Sequence, residues 1–434
     1  MNPRAAPTAP RPPAVPSHPS MPPDEVGRSH AVGPGFVTRY ALAYLGTSLL
    51  LIAPVSVTLA LKVNALVGID RAPAALSLVA GAGSFVSLFG NPLAGALSDR
   101  TTSRFGMRRP WMVVGLVGGT AAVLVVALAP NLVVAVVGWC AAQLFLNALL
   151  AVQVAVLPDQ VPRAQRGLVS GVLGICLPIA SISATYLVMT FKGSQLAMFL
   201  APCVVGGALV LVFAATLDDR RLPHGQRPRW SLHELASTFY FNPRHCPDFA
   251  WAFVSRLMFV FAFAFLTTYQ VYYLLEHLGS AERDVPQQIF LSTLIQSTVV
   301  VLTSLVSGRF SDRLGRRKVF VLSAALVYAL AMVLVAVADS FPGFLVAVAV
   351  SGLGFGMYFA VDLALVADVL PDPNRAAKDL GVFNYAGALP FTLAPLLAPG
   401  ILAIGGGSYT VLYAAAAGCA VIGAFAILPV KAAR

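Results

Sequence analysis

Long apolar runs recur along the whole chain and limit the structures that it can adopt. Each run holds about 20 mostly apolar residues, the length that a helix needs to cross a bilayer. Inside lipid the backbone must satisfy its own hydrogen bonds, and the short alternating segments of a membrane barrel do not occur in this sequence. The sequence therefore predicts an all-α integral membrane protein with twelve transmembrane helices. The predicted spans are residues 37–62, 74–97, 110–129, 131–157, 167–190, 195–217, 249–277, 286–308, 317–338, 342–370, 378–403 and 407–430.

The runs fall into two groups of six, separated by a polar segment. Of the 434 residues, 58% are hydrophobic and 11% are charged, which is too apolar for a soluble domain. We predict a disordered cytoplasmic tail at 1–35, because this stretch is rich in proline and has no apolar core. An N-terminal six-helix bundle at 36–217 follows. A cytoplasmic loop at 218–248 leads to a C-terminal six-helix bundle at 249–430.

Two short motifs occur twice with a shared offset. The first motif follows spans two and eight and reads Ser-Asp-Arg, then Gly, then clustered Arg. Its glycines, Gly106 and Gly315, lie 209 positions apart. Asp-x-x-Pro-x-x-x-Arg follows spans four and ten, and its first residues, Asp159 and Asp368, are again 209 apart. A shared offset indicates an internal repeat. The two bundles are therefore predicted to be pseudo-symmetric.

The net charge of +11 indicates how the protein is oriented in the membrane and does not indicate a nucleic-acid-binding surface. All but five of the 29 Lys and Arg residues lie in or beside the termini and the loops of one face. The exceptions are Lys62, Arg71, Lys192 and Arg283 on the other face and Arg256 inside a span. Positive charge marks the cytoplasmic side. We therefore expect a multi-pass protein of the cytoplasmic membrane with both termini cytoplasmic, and no binding of nucleic acid.

The chemistry of soluble enzymes is not represented in the sequence. The five cysteines are scattered, with no Cys-x-x-Cys pair and no zinc pattern. A phosphate-binding loop, a His-Glu-x-x-His helix and a nucleophile elbow are also absent. We predict that the protein is not an enzyme and that it uses no metal and no cofactor.

The repeated loop motifs carry a family resemblance. Asn-Pro-x-x-Gly-x-x-Ser-Asp-Arg begins at residue 91, and Ser-Arg-Phe-Gly-x-Arg-Arg-Pro begins at residue 103. With twelve spans and a central loop, residues 36–430 resemble the major facilitator superfamily, and the Asn-Pro form resembles its sucrose–proton and glycoside–cation symporters. The resemblance implies two bundles that rock about a midplane site, with spans one, four, seven and ten around the cavity. It implies a small-molecule substrate, coupling to protons and a bilayer environment, and we expect a monomer.

The basic loops are candidates for a conformational latch. A carboxylate at the end of a span can pair with arginine or cap a neighbouring helix, whose N-terminus carries partial positive charge, and so favour one state. The alternative is that these charges only set topology at helix ends. The candidates are Asp99, Arg100, Arg108, Arg109, Asp159, Arg166, Asp312, Arg313, Arg316, Arg317, Asp368 and Arg375.

Asp362 lies in the interior of span ten, six residues before Asp368 at its end. A carboxylate within a span is costly, and it is usually kept for a partner, a water-filled cavity or a proton. Arg256 lies at a similar depth on span seven, and spans seven and ten both line the cavity in the family that the chain resembles. We predict an Arg256–Asp362 pair that couples transport to protons. The alternative is an ion pair with a purely structural role.

Polar residues in or near the cavity-lining spans are candidates for contacts with the solute. Subtracting the repeat offset from Asp362 leads to Gln153, which is polar too. A single polar residue in a span is more often an interhelical hydrogen bond than a ligand contact. The candidates are Gln143, Asn147, Gln153, Tyr269, Gln270, Gln296 and Asn384.

Together these features predict a secondary active transporter that moves a small organic solute by alternating access. Proton coupling is favoured, with Asp362 as its titratable group, and the family resemblance favours a sugar or glycoside. One alternative is an exporter of drugs or natural products. Another is a membrane sensor or scaffold that transports nothing and acts through its tail or central loop.

Overall fold

A computed structural model describes residues 31–219, 246–314, 316–369 and 376–430, and within these ranges the chain is helical with no strand. The predicted disordered tail falls almost wholly outside the described residues, as does most of the predicted central loop. Among the latch and cavity candidates, Arg375 and the side chains of Asp312, Asp368 and Asn384 also lie outside them.

Twelve described helices are long and apolar enough to cross a membrane, which confirms the predicted fold class. We number them α1 to α12. Their bounds are Pro34–Val67, Ala72–Ser98, Arg109–Leu128, Leu132–Gln160, Arg163–Thr190, Gln195–Thr216, Pro247–Tyr272, Val285–Leu314, Arg317–Ala336, Phe341–Val369, Ala376–Ile404 and Tyr409–Ala426.

Helices α1 and α7 depart locally from α-helical geometry. Residues Pro54–Thr58 within α1 form a π-helical turn, which Pro54 promotes because it has no backbone N–H to donate. A second π-helical turn, Tyr273–His277, extends α7. Helix α4 begins at a side-chain cap. Asn131 caps its start by accepting a hydrogen bond from Val134 N at 3.0 Å.

The helix contacts of the first half recur in the second half. In the first half α1 packs on α5 and α6, α4 packs on α2 and α3, and α3 packs on α6. Adding six to each number gives the contacts of the second half: α7 with α11 and α12, α10 with α8 and α9, and α9 with α12. The structure therefore confirms that the chain is built from two equivalent six-helix bundles.

The two halves meet through α2 with α11 and through α5 with α8. We call the membrane side where α1 begins and α12 ends the basic face, and the other side the opposite face. The hydroxyls of Ser77 and Tyr269 share a hydrogen bond, and Tyr272 donates to the Ala60 carbonyl at 3.1 Å. All four residues lie near the opposite-face ends of α1, α2 and α7. The halves are therefore bonded to each other close to the opposite face.

Candidate functional site

Arg256 on α7 and Asp362 on α10 form an ion pair inside the second half. Arg256 Nη1 lies 2.8 Å from Asp362 Oδ2, and the two side chains are 18% and 9% exposed. The sequence placed them at similar depths on neighbouring helices, and the structure brings them together. Because both charges have left water, each depends on the other to offset the cost of desolvation.

Helix α11 completes the surroundings of the guanidinium. The Phe383 ring faces Arg256, with 4.9 Å from its centroid to Cζ, a cation–π contact. A Cβ placed on Gly387 would stand only 3.2 Å from Arg256 Nη2, so glycine leaves room for the planar group. Neither residue was predicted from the sequence, because a Phe or a Gly in an apolar helix gives no sign of its neighbour.

The second oxygen of Asp362 is buried and accepts no hydrogen bond from the described residues. Tyr358, one turn earlier on α10, interacts with the same carboxylate. A buried oxygen without a donor is destabilising. It can be satisfied by a proton on the carboxyl group or by a donor on a bound molecule. Asp362 is therefore suited to bind or release a proton.

Aromatic rings continue from the ion pair towards the middle of the membrane. Phe359 stacks on Phe355 with their centroids 6.1 Å apart, and Phe355 lies 4.6 Å from Phe263 of α7. Phe263 then meets the edge of Phe391 of α11 at 6.0 Å. Phe263, Phe355 and Phe391 are half-buried and Phe359 is exposed, so part of each ring is left uncovered by the described protein.

The amide candidates of α4 bond mainly to the protein itself. Asn147 Nδ2 donates to the Gln143 side chain at 2.7 Å, one turn away. Gln153 is wholly buried, and its Nε2 donates to the Ala43 carbonyl of α1 at 3.4 Å. Gln153 is thus packed against α1 in this conformation, and its contact with a solute stays a prediction. Gln153 Oε1 has no hydrogen-bond partner among the described residues. Thr47 Oγ1 on α1 also has none among them.

The candidates of the second half are placed at different depths. Tyr269 is fully buried between the halves, and its hydroxyl also donates to the Pro395 carbonyl at 3.3 Å. Tyr269 bonds to Ser77 and Pro395 in this conformation, and its contact with a solute stays a prediction. Gln296 donates to Ser351 Oγ at 2.9 Å and so joins α8 to α10. Gln270 is half-buried.

A second cluster surrounds Arg108 at the basic face. Arg108 Nη2 lies 2.6 Å from Asp99 Oδ1, Nε donates to Asp159 Oδ2 at 2.9 Å, and Nη1 donates to Ser98. Burial alone lowers the pKa of this guanidinium, but Asp159 and Asp99 outweigh it and raise the pKa above its ordinary value. One buried cation thus connects the ends of α2 and α4 to the start of α3. Two predicted latch carboxylates share this partner.

Asp219, which the sequence did not single out, caps the start of α3. Its Oδ2 accepts hydrogen bonds from the backbone N–H groups of Arg108 at 2.7 Å and of Arg109 at 2.8 Å. A carboxylate at a helix N-terminus is stabilising. Asp219 follows α6, so this cap connects the end of the first half to the Arg108 cluster. No local motif predicts a contact over 110 residues.

The remaining latch candidates have more local roles. Arg166 donates to the carbonyls of Pro158 and Val161 at 2.9 and 3.0 Å, which satisfies the end of α4. Arg100 donates to the Ala96 carbonyl at 3.4 Å. Arg109 donates to the Ala215 carbonyl at 3.4 Å. In the second copy of the motif, Arg313 and Arg316 are exposed, and Arg317 is half-buried.

We expect Gly106→Ala to disturb the Arg108 cluster. Gly106 has φ of +105°, and a Cβ there would overlap the Asp219 carboxylate. Backbone strain of this kind costs about 1–3 kcal/mol. The variant should melt at a lower temperature than wild type and transport more slowly. Gly95→Ala is the control, because a Cβ at Gly95 meets open space. Equal melting temperatures and rates in the two variants would contradict the assigned role of Gly106.

Comparison with known proteins agrees with this architecture. Residues 38–296 and 284–434 match the sequence profile of the Major Facilitator Superfamily. The chain belongs to this superfamily. The family implies a small-molecule substrate and a membrane environment. The narrower resemblance to sucrose and glycoside symporters finds no support among these comparisons.

Curated proteins match short segments of this superfamily member. It is 33% identical over 110 residues to "Multidrug resistance protein MdtL" of a Shewanella species, covering 25% of this chain and 27% of that one. It is 38% identical over 97 residues to "Probable 4-methylmuconolactone transporter" of Cupriavidus pinatubonensis, covering 22% of each. The matches thus span about a quarter of those relatives.

Solved structures share the fold over most of the chain. The nucleoside transporter NupG superposes with a TM-score of 0.71 at 15% identity, covering 91% of this chain and 98% of that one. A D-xylose–proton symporter superposes with a TM-score of 0.68 at 15% identity, covering 91% and 96%. Identity at this level shows a common fold and leaves the solute open.

Proposed function

We propose that this superfamily member is a secondary active transporter in which Arg256 and Asp362 couple movement of a small organic solute to protons. The observation that carries the proposal is an oxygen of Asp362 that is buried beside Arg256 and has no hydrogen-bond partner among the described residues. An ionisable residue in a span is usually retained for function. Asp362 is acidic, faces Arg256 and has capacity for one more donor.

The position of the contacts between the two halves supports alternating access. The contacts of Ser77, Tyr269, Tyr272 and Ala60 lie near the opposite face, whereas the Arg108 cluster lies at the basic face within the first half. We propose that the basic face is cytoplasmic and that this conformation opens towards it. A reporter at residues 279–284 should then be accessible from outside the cell, while tags at either terminus should not. The reverse pattern would contradict this orientation.

Two candidates are proposed for the class of solute and the direction of its transport. The sequence resemblance favours uptake of a sugar or glycoside, and a sugar–proton symporter shares the fold. A second candidate is export of a drug or metabolite. The relatives named for multidrug resistance and for a lactone support this candidate. The half-buried aromatic rings beside the ion pair suit either an apolar solute or the apolar face of a sugar.

The proposal is tested in proteoliposomes containing the purified full-length protein. A solute is first chosen by thermal shift, because a bound ligand raises the apparent stability by mass action. Its movement is then followed under an imposed pH gradient. We expect accumulation above equilibrium, abolished by a proton ionophore and absent from protein-free liposomes. Accumulation that ignores the pH gradient and the ionophore would contradict proton coupling.

A further inference from the structure

The charge balance of the site restricts the solute that it can accept with a proton. With Asp362 ionised, the Arg256–Asp362 pair carries no net charge. When Asp362 takes up a proton, the guanidinium remains charged with no carboxylate to balance it. A buried, unpaired charge is costly. A solute that brings one negative charge restores neutrality, whereas a neutral solute does not.

The guanidinium has the geometry to bind such an anion. It carries five N–H donors in a planar fork, and Asp362 is its one ion-pair partner among the described residues. The described residues of α11 that contact the guanidinium, Phe383 and Gly387, are both neutral. A planar fork matches the two oxygens of a carboxylate. A carboxylate monoanion therefore fits both the donor geometry of Arg256 and the single charge left unbalanced when Asp362 is protonated.

The aromatic rings define the rest of the solute. Phe359, Phe355, Phe263 and Phe391 run from the level of the ion pair into the membrane, with successive centroids 4.6–6.1 Å apart. Half-buried rings bind flat apolar groups by stacking and edge contacts. An acid bound through Arg256 would place its ring against this surface.

We infer that the solute is an organic monoanion, a carboxylate carried on an aromatic or apolar ring, which binds Arg256 together with a proton on Asp362. This inference rests on the proposed proton coupling and names the substrate class of the same site. Each cycle moves one proton and one carboxylate. The carboxylate of Asp362 takes up the proton on loading and returns it on release, so the cycle carries no net charge.

The groups around Asp362 are consistent with this proton balance. Arg256 faces it from α7, and Tyr358 faces it from α10 itself. Helix α11 presents the neutral residues Phe383 and Gly387 to Arg256. The described contacts of α8 with α10 include those of the neutral residues Gln296, Thr303 and Gly308, and α9 contacts α10 through Tyr328. Asp362 is the one carboxyl group among these described residues, and we therefore assign the proton to it.

Binding titrations on the full-length protein in detergent test the inference. The probes are three acids, 4-hydroxybenzoate, phenylacetate and cyclohexanecarboxylate, with 4-hydroxybenzamide and D-xylose as neutral controls. A pH indicator in weakly buffered solution reports protons taken up on binding. We expect at least one acid to bind about tenfold more tightly than the amide, since the amide lacks the charge that Arg256 recognises. About one proton per bound acid should be taken up.

Three variants separate the roles of the side chains. Arg256→Gln should weaken acid binding at least about tenfold. Phe263→Ala should weaken it about three- to tenfold and leave the proton count unchanged. Asp362→Asn should bind the acid without taking up a proton. Melting temperatures report whether each variant is folded. The number of protons taken up by wild type is measured independently of the variants, so it tests the inference even if a variant does not fold.

Each outcome decides between the two proposals. The inference of a monoanionic solute would be overturned if none of the three acids bound. It would also be overturned if the amide or D-xylose bound more tightly and with proton uptake. Either result would leave the proposed proton coupling intact. Binding of an acid without proton uptake by wild type would contradict the carboxylate–proton pairing. If a pH gradient also failed to drive accumulation of every bound probe, the proposed function itself would fall.

Discussion

Arg256→Gln and Asp362→Asn should each strongly destabilise the protein, while the double variant should recover much of the loss. Either single change leaves one charge buried without its partner, which costs about 3–5 kcal/mol, whereas removing both leaves no buried charge. Unfolding by denaturant in detergent micelles measures the effect. The coupling between the two changes should therefore be large and of opposite sign to their individual effects.

The exposed pair of Arg283 and Asp284 provides the control. These side chains are 86% and 50% exposed, and their charges are 3.8 Å apart. Exposed ion pairs contribute little to stability. Arg283→Gln should therefore leave unfolding unchanged. Additive losses in the Arg256–Asp362 cycle would show that the two side chains do not depend on each other.

The second large effect is expected at Arg108. This side chain holds Asp99, Asp159 and Ser98 together and is almost wholly buried. We expect Arg108→Gln to slow transport about tenfold, since a change of about 1.4 kcal/mol between two states alters their ratio tenfold. The measurement is the initial transport rate per folded protein. Asp99→Asn should have a smaller effect in the same direction, because Asp159 still engages the guanidinium.

Arg109→Gln is the matched control for Arg108→Gln. It removes the neighbouring arginine, whose side chain makes one long hydrogen bond to the Ala215 carbonyl at 3.4 Å. Topology alone would make the two arginines equivalent, because both add one positive charge to the same loop. Equal transport rates in the two variants would therefore contradict a latch and support a purely topological role.

The sequence predicted the features that depend on long runs and on a repeated offset. Twelve spans follow from apolar length, and the two equivalent bundles follow from glycines and aspartates 209 positions apart. The Arg256–Asp362 contact was also predictable, because two opposite charges inside a membrane at similar depths have few other partners. In each case one strong physical cost, desolvation, leaves a narrow choice of structure.

The sequence could not fix the contacts of residues whose placement costs little free energy in several different surroundings. Gln153 was predicted to face the cavity, but an amide is equally well placed against a carbonyl of the next helix, and it donates to Ala43. Tyr269 bonds between the halves for the same reason. Asp219 and Gly387 were not predicted at all. Their roles depend on the distant residues Arg108 and Arg256, which only the folded chain brings near.

The most direct test of the account compares uphill transport with exchange in the Arg256→Gln/Asp362→Asn double variant. The solute is the one that most raises the melting temperature of wild type in a screen of sugars, glycosides and ring carboxylates. Proteoliposomes under an imposed pH gradient measure accumulation. The same vesicles loaded with unlabelled solute measure exchange, and protein-free liposomes correct for passive entry.

We predict that wild type accumulates the solute uphill. The double variant should remain folded, retain at most exchange and accumulate nothing against a gradient, because Asn cannot release a proton. Normal uphill accumulation by the double variant would show that the buried pair is only structural, and it would remove Asp362 from the transport mechanism.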